Sequence, residues 1–248
     1  MTWLRQLRAG VAALALMASL AVGTREAGAG VLFLDSIGTG GAVTQTARND
    51  LLQDIYGTGV TSRQGYYGST IKLAEKTVVT FTFLGFEAGY DNEFLLDVSG
   101  TGRFALIFSN KAGGAADING EARTAVGDTY TVELDPADFI AGVIPFLFKA
   151  EVNGKEGSVA NGTANNGPVN FFTSYDQDAL AAAGSSLVLL FDDGGAGLDS
   201  DYDDMGIRIA ALVPEPGTAA LLGGGLAALG WAGRRRKQPA ASCDGSPS

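Results

Sequence analysis

Histidine is absent from the 248 residues, and cysteine occurs once, at Cys243. Without imidazole there is no Ser-His-Asp or Cys-His nucleophile pair and no HExxH zinc site. Acid-base chemistry is left to carboxylates, Lys or Tyr. A lone cysteine excludes an intramolecular disulfide. Basic side chains are also scarce, 17 against 27 acidic, for a formal charge of -10. Phosphate-backbone binding depends on clustered Lys and Arg, so nucleic acid is excluded as a partner. The enzymatic route that survives is a pair of carboxylates, as in glycoside hydrolysis. Glu87, Asp91 and Glu93 are close enough in sequence to be considered for it. Their spacing reads as solvent-facing strand and turn positions, with no nucleophile-base pair or oxyanion motif beside them. The chain is therefore read as non-enzymatic, with a carboxylate-based hydrolase as the lesser alternative.

What is present is organised at the two ends. Arg5 and Arg8 precede an uncharged apolar run from Ala9 to Val22, followed by Ala27-Gly28-Ala29. Small residues at -3 and -1 suit a signal peptidase pocket, so residues 1–29 read as a cleaved export signal. Near the other end stand Val213-Pro214-Glu215-Pro216-Gly217, then an uncharged run from Thr218 to Gly233, then Arg234, Arg235, Arg236 and Lys237. The prolines deny the backbone a regular ladder or helix, which keeps this stretch extended and accessible to another protein's active site.

Sixteen helical residues span only about 24 Å against a hydrocarbon core of roughly 30 Å, so 218–233 is a marginal transmembrane helix. Snorkelling of the Arg cluster makes up a few ångströms, and the positive-inside rule leaves that end cytoplasmic. Ala220, Gly224, Ala228 and Ala232 recur every four residues, a spacing that lets a second membrane helix approach closely and that also arises by chance in so Ala/Gly-rich a run. The tail 238–248, with Cys243, stays on the cytoplasmic side.

A Val-Pro-Glu-Pro motif, a short apolar helix and an Arg cluster, in that order, resemble the PEP-CTERM protein-sorting signal over residues 213–237. The resemblance implies an exported bacterial protein, held transiently in the inner membrane by its C-terminal helix. It further implies cleavage near the Pro-Glu-Pro by an exosortase and delivery to the cell surface or extracellular matrix. The implied sorting residues are Val213, Pro214, Glu215, Pro216, Arg234, Arg235 and Arg236. The tail from Gln238 to Ser248 is longer than the few residues usual in the family.

Between the ends, residues 30–212 form the expected exported domain. From Gly30 to Glu215 there are 10 basic and 25 acidic residues, a formal charge of -15. That charge favours solubility and divalent cations, and disfavours adhesion to anionic lipid or polymer without a bridging metal. Val79, Phe81 and Phe83 alternate with Thr80 and Thr82; Phe94, Leu96 and Val98 alternate with Leu95 and Asp97; Tyr130, Val132 and Leu134 alternate with Thr131 and Glu133. Period two predicts strands with one face inward. Further strands are predicted at 31–34, 104–108, 144–152, 187–191 and 205–212, with the wholly apolar Leu187–Phe191 central in its sheet. The fold class is thus all-β, an antiparallel two-sheet sandwich or jelly roll.

A short helix is predicted from the capping-box pattern Ser174-Tyr175-Asp176-Gln177 through Ala183 to Gly184, and another over Asn49–Tyr56. Gly-rich 112–115 and 154–167 read as mobile loops. Phe86 to Phe94 reads as strand-turn-strand with Gly89 available for positive φ, and resembles a Glu-Ala-Gly-Tyr-x-Asn-x-Phe stretch in some PEP-CTERM proteins.

Six carboxylates fall within the thirteen residues from Asp192 to Asp204. They repel unless solvated or bridged, and Asp199, Asp201 and Asp203 at alternate positions, with Asp204, are candidate calcium ligands. The spacing is not an EF-hand, since Asp204 stands where Gly is needed and Ala210 where a bidentate Glu is needed. The alternative is a solvated acidic hairpin loop that discourages edge-to-edge aggregation. The segment also resembles the Gly-rich, Asp-x-Asp-Tyr-x-Asp ending that precedes the sorting signal in many PEP-CTERM proteins. The functional expectation is a structural or adhesive surface protein. The alternative is a calcium-dependent carbohydrate-binding module, with extracellular polysaccharide as partner.

Overall fold

Alternating apolar positions need a common buried layer, and the computed structural model provides one between two antiparallel sheets. The structure describes residues 31–36, 39–44, 51–112, 123–152, 154–163, 169–175, 186–194 and 202–212. Strands β1 (Leu32–Ser36), β2 (Thr39–Thr44), β3 (Ser62–Tyr67), β4 (Thr70–Leu73), β5 (Thr77–Gly85), β6 (Asp91–Leu96) and β7 (Ala105–Ser109) lie in the first half. They are followed by β8 (Thr129–Leu134), β9 (Phe146–Val152), β10 (Lys155–Ala160), β11 (Asn170–Tyr175), β12 (Ser186–Asp192) and β13 (Met205–Ala211). Among the described residues one α-helix of six residues, α1 (Leu51–Tyr56), interrupts them.

One sheet has four strands in the order β10-β9-β6-β7, the other seven in the order β2-β3-β11-β12-β13-β5-β8, and β1 pairs β4 separately. Every ladder is antiparallel.

Inward residues of the two larger sheets meet in one aromatic layer. Phe148 of β9 stacks on Phe191 of β12 at 4.6 Å between centroids, Phe94 of β6 meets Phe81 of β5 at 5.6 Å, and Phe146 meets Phe171 of β11 at 5.7 Å. All six rings are buried. Such pairs contribute about 0.5–1.5 kcal/mol each beyond the area they remove from water.

The seven-stranded sheet is covered on its other face too. Leu51 and Leu52 of α1 join Val43, Phe172, Val188, Leu190 and Tyr202 in a second buried cluster. This explains why Leu187–Phe191 of β12 is an unbroken apolar run: Leu187, Leu189 and Phe191 face the inter-sheet layer, whereas Val188 and Leu190 lie in the cluster with α1. The fourth place of β12 among seven strands matches its reading as central. Gly206 opens room for the helix, since a Cβ there would stand 3.1 Å from Ile55 Cδ1 and 3.3 Å from Leu84 Cβ.

Each sequence-predicted strand has a counterpart here, but four local readings are corrected. Ser174 and Tyr175 end a strand rather than cap a helix, because they pair with Val188 and Leu187. Residues 155–160, read as part of a Gly-rich loop, form β10, paired along its length with β9. Positive φ falls on Gly85 (133°), the last residue of β5, not on Gly89 in the connection that follows. Val98 leaves the alternation and is 37% exposed, since Asp97 turns the chain by accepting bonds from the Ser99, Thr101 and Gly102 amides. Residues 176–184, 49–50, 113–115 and 164–167 lie outside the described residues, as do the export signal 1–29 and everything from Val213 onward. Among the described residues no helix is long and apolar enough to cross a membrane.

Candidate functional site

Three places bear on function: the root of the acidic hairpin, a charged cleft, and the exit of the chain toward residue 213.

The acidic hairpin joins β12 to β13. Its described root consists of Asp192, Asp193, Tyr202, Asp203 and Asp204, and Asp192, Asp193 and Asp203 are all buried. Asp204 Oδ2 accepts from the Asp193 amide at 2.7 Å, and Asp192 Oδ1 accepts from the Gly194 amide at 2.8 Å. The Asp203 carbonyl accepts from the Glu87 amide at 2.9 Å. Asn92 on β6, fully buried, donates its side-chain amide to Asp193 Oδ2 at 3.1 Å. The backbone of Asn92 is held on both sides by Asn110, at 2.6 Å and 3.1 Å.

Tyr202 adopts φ 58°, and its ring packs 5.2 Å from Tyr67 and 6.1 Å from Phe172. Burial first, then the negative charge of Asp192, push its phenol well above the ordinary tyrosine range, so it stays protonated. Of the four candidate calcium ligands, Asp203 and Asp204 stand in this root, bonded into the fold, while Asp199 and Asp201 lie outside the described residues. Among the described residues no group of three or more acidic, Cys or His side chains is gathered so as to hold a metal ion. Sequence reasoning missed Asn92: an Asn inside a polar stretch of strand carries no signal of the buried bond it makes.

A cleft of about 180 Å³ opens on the four-stranded sheet, lined by Asp91, Glu93, Lys111, Lys149, Glu151 and Glu156. Ladder register sets Asp91 opposite Glu151 and Glu93 opposite Lys149. Lys111 bridges Asp91 at 3.0 Å and Glu151 at 3.3 Å, and Lys149 reaches Glu156 at 3.5 Å. Hydrogen bonding to Asp91 first, then to Glu151, holds the Lys111 ammonium above the ordinary lysine range. Asp91 and Glu93 thus share a cleft, whereas Glu87 belongs to the acidic root through its bond to Asp203. The three carboxylates weighed for catalysis are divided between two places, and the cleft's carboxylates are interleaved with ammonium groups.

At the exit, β13 is gripped on both edges, by β12 and β5. The grip extends to Leu212, whose amide bonds Val78 O at 2.9 Å and whose carbonyl accepts from Thr77 Oγ1 at 2.8 Å.

Fold and exit together define an all-β, antiparallel body whose last described residue, Leu212, is bonded to β5 at the start of a C-terminal sorting segment. A family model described as the PEP-CTERM protein-sorting motif matches residues 212–237. The resemblance drawn from Pro214-Glu215-Pro216, the apolar run and the Arg cluster is therefore shown, and with it an exported protein directed to exosortase. No curated protein matches the chain, and no solved structure does.

Proposed function

We propose that this is a non-enzymatic surface protein, an antiparallel two-sheet sandwich or jelly roll with a structural or adhesive role at the cell surface or in the extracellular matrix. The observation that carries the reading is where the sorting motif begins. It matches from residue 212, the residue after β13 whose amide and carbonyl are both bonded to β5. Cleavage at or beyond Pro214 removes none of those bonds, so the released body keeps the ladder that closes its larger sheet. The run 218–233 serves as a temporary membrane hold, with Arg234, Arg235 and Arg236 as its cytoplasmic stop. For adhesion, the cleft on the smaller sheet offers hydroxyl-rich polymers alternating carboxylate and ammonium groups.

The test is Glu215→Ala in the native host. The expected outcome is an uncleaved precursor that stays in the membrane fraction. A precursor cut to the ordinary size and delivered to the surface overturns exosortase handling.

A further inference from the structure

Among the described residues, the large hydrophobic side chains left exposed are Val98, Phe104, Val126, Ile140 and Leu212. Scattered exposed apolar residues need no explanation, but four of these five stand at one end of the body. Thr77 pairs with Leu134, so the start of β5 and the end of β8 lie together, and the Thr77 hydroxyl fixes Leu212 at that same end. Asp135 follows Leu134 directly and caps the first of two consecutive short 3₁₀ turns, Pro136–Asp138 and Ile140–Gly142. The loop 97–104, which carries Val98 and Phe104, packs on those turns: a side chain at Gly100 would collide with Asp138 O and stand 3.4 Å from the Phe139 ring. Val126 is at the opposite end, where Gly127 bonds Phe83 O.

Ile140 is the most exposed of the set, at 91%. Ala141 and Gly142, both with positive φ (52° and 73°), follow it in the turn. Asp135 and Asp138 lie beside it, Lys76 is already paired with Glu133 at 2.6 Å, and the exposed Arg103 beside Phe104 is outnumbered by these acidic groups. The end is therefore not basic, so a charged polymer or anionic surface is not what it is built to meet.

From Leu212 to the first residue of the apolar run, Thr218, there are six residue steps. At most they span about 20 Å. We propose that, while 218–233 holds the chain in the membrane, this end of the body rests on the lipid interface, with Ile140, Phe104 and Val98 entering the headgroup layer as uncharged anchors. The inference rests on the reading of 218–233 as a membrane hold.

The experiment uses the full chain with Cys243→Ser and one new cysteine, Ile140→Cys or, at the far end, Val126→Cys. Each is labelled with an environment-sensitive fluorophore and reconstituted into phosphatidylcholine vesicles carrying shallow nitroxide lipids. The expected result is a blue-shifted probe at position 140, quenched about twofold or more relative to position 126, and insensitive to salt. Equal quenching at the two positions overturns the inference, as does a blue shift at 140 without nitroxide quenching, which marks contact with a second copy. Flotation separates the two levels. A chain that fails to float with the vesicles removes the membrane hold itself, whereas a chain that floats with an unquenched probe at 140 removes the lipid contact alone.

Discussion

Thr77 and Leu212 are 135 positions apart, and the hydroxyl of the first bonds the carbonyl of the second at 2.8 Å. The first residue of β5 thus holds Leu212, two positions before Pro214. Thr77→Val keeps the shape of the side chain and removes the donor. It is expected to lower stability by about 1 kcal/mol. It should also raise amide exchange at Leu212 while leaving sorting intact. Denaturant melts with hydrogen exchange check this; unchanged exchange at Leu212 would show that the hydroxyl does not hold the exit.

The inter-sheet layer makes a second prediction. Phe148 and Phe191 are parallel within 7° and both fully buried. Phe148→Ala should cost about 3–5 kcal/mol, through lost burial and the cavity left behind. A double-mutant cycle with Phe191→Leu should return a coupling of about 0.5–1.5 kcal/mol. Additive effects in that cycle would mean that the rings fill space without a specific contact.

Asp97 contributes to the acid limb of stability. Desolvation raises its pKa, but bonds from the Gly102 amide, the Ser99 hydroxyl and amide, and the Thr101 amide outweigh that and leave it lowered. A depressed folded-state pKa gives stability that is present above the unfolded value and lost as pH falls through the folded one. Asp97→Asn should therefore be destabilised by about 1–2 kcal/mol at neutral pH, with the gap to the parent closing in acid. A gap that stays constant from pH 7 to strong acid assigns the effect to shape instead of charge.

Asn92→Leu tests the acidic root. It removes the donor to Asp193 Oδ2 in a buried place, and leaving that acceptor without this bond is expected to cost about 1–3 kcal/mol. The β6 ladder should persist, since Asn110 bonds the Asn92 backbone. Thermal melts and circular dichroism separate these outcomes: a melting temperature equal to the parent's would show that the amide contributes nothing to the hairpin root.

How much of this was legible in the sequence varies by element. Val79, Phe81 and Phe83 announced β5, because a strand buried on one face shows its period directly. Leu187–Phe191 announced a central strand, because both faces of it are covered. β2, with Thr39-Gly40-Gly41-Ala42-Val43-Thr44, and β10, with Gly157 in its middle, carry no such period. They are strands because neighbours supply partners along their whole length, and strand preference depends on that context. Ser174 and Tyr175 imitate a helix start locally and are overruled by pairing with β12.

Delivery could be read from the sequence alone because proline rigidity, an uninterrupted apolar run and a block of arginines are linear properties, met by a protease or a bilayer in chain order. Folding added what linear order cannot carry. Pairing between distant strands parted Glu87 from Asp91 and Glu93, buried Asn92 against Asp193, and brought Ile140, Phe104 and Val98 to the end where the chain leaves. Those are consequences of sheet register, and register is decided by which faces find one another in space.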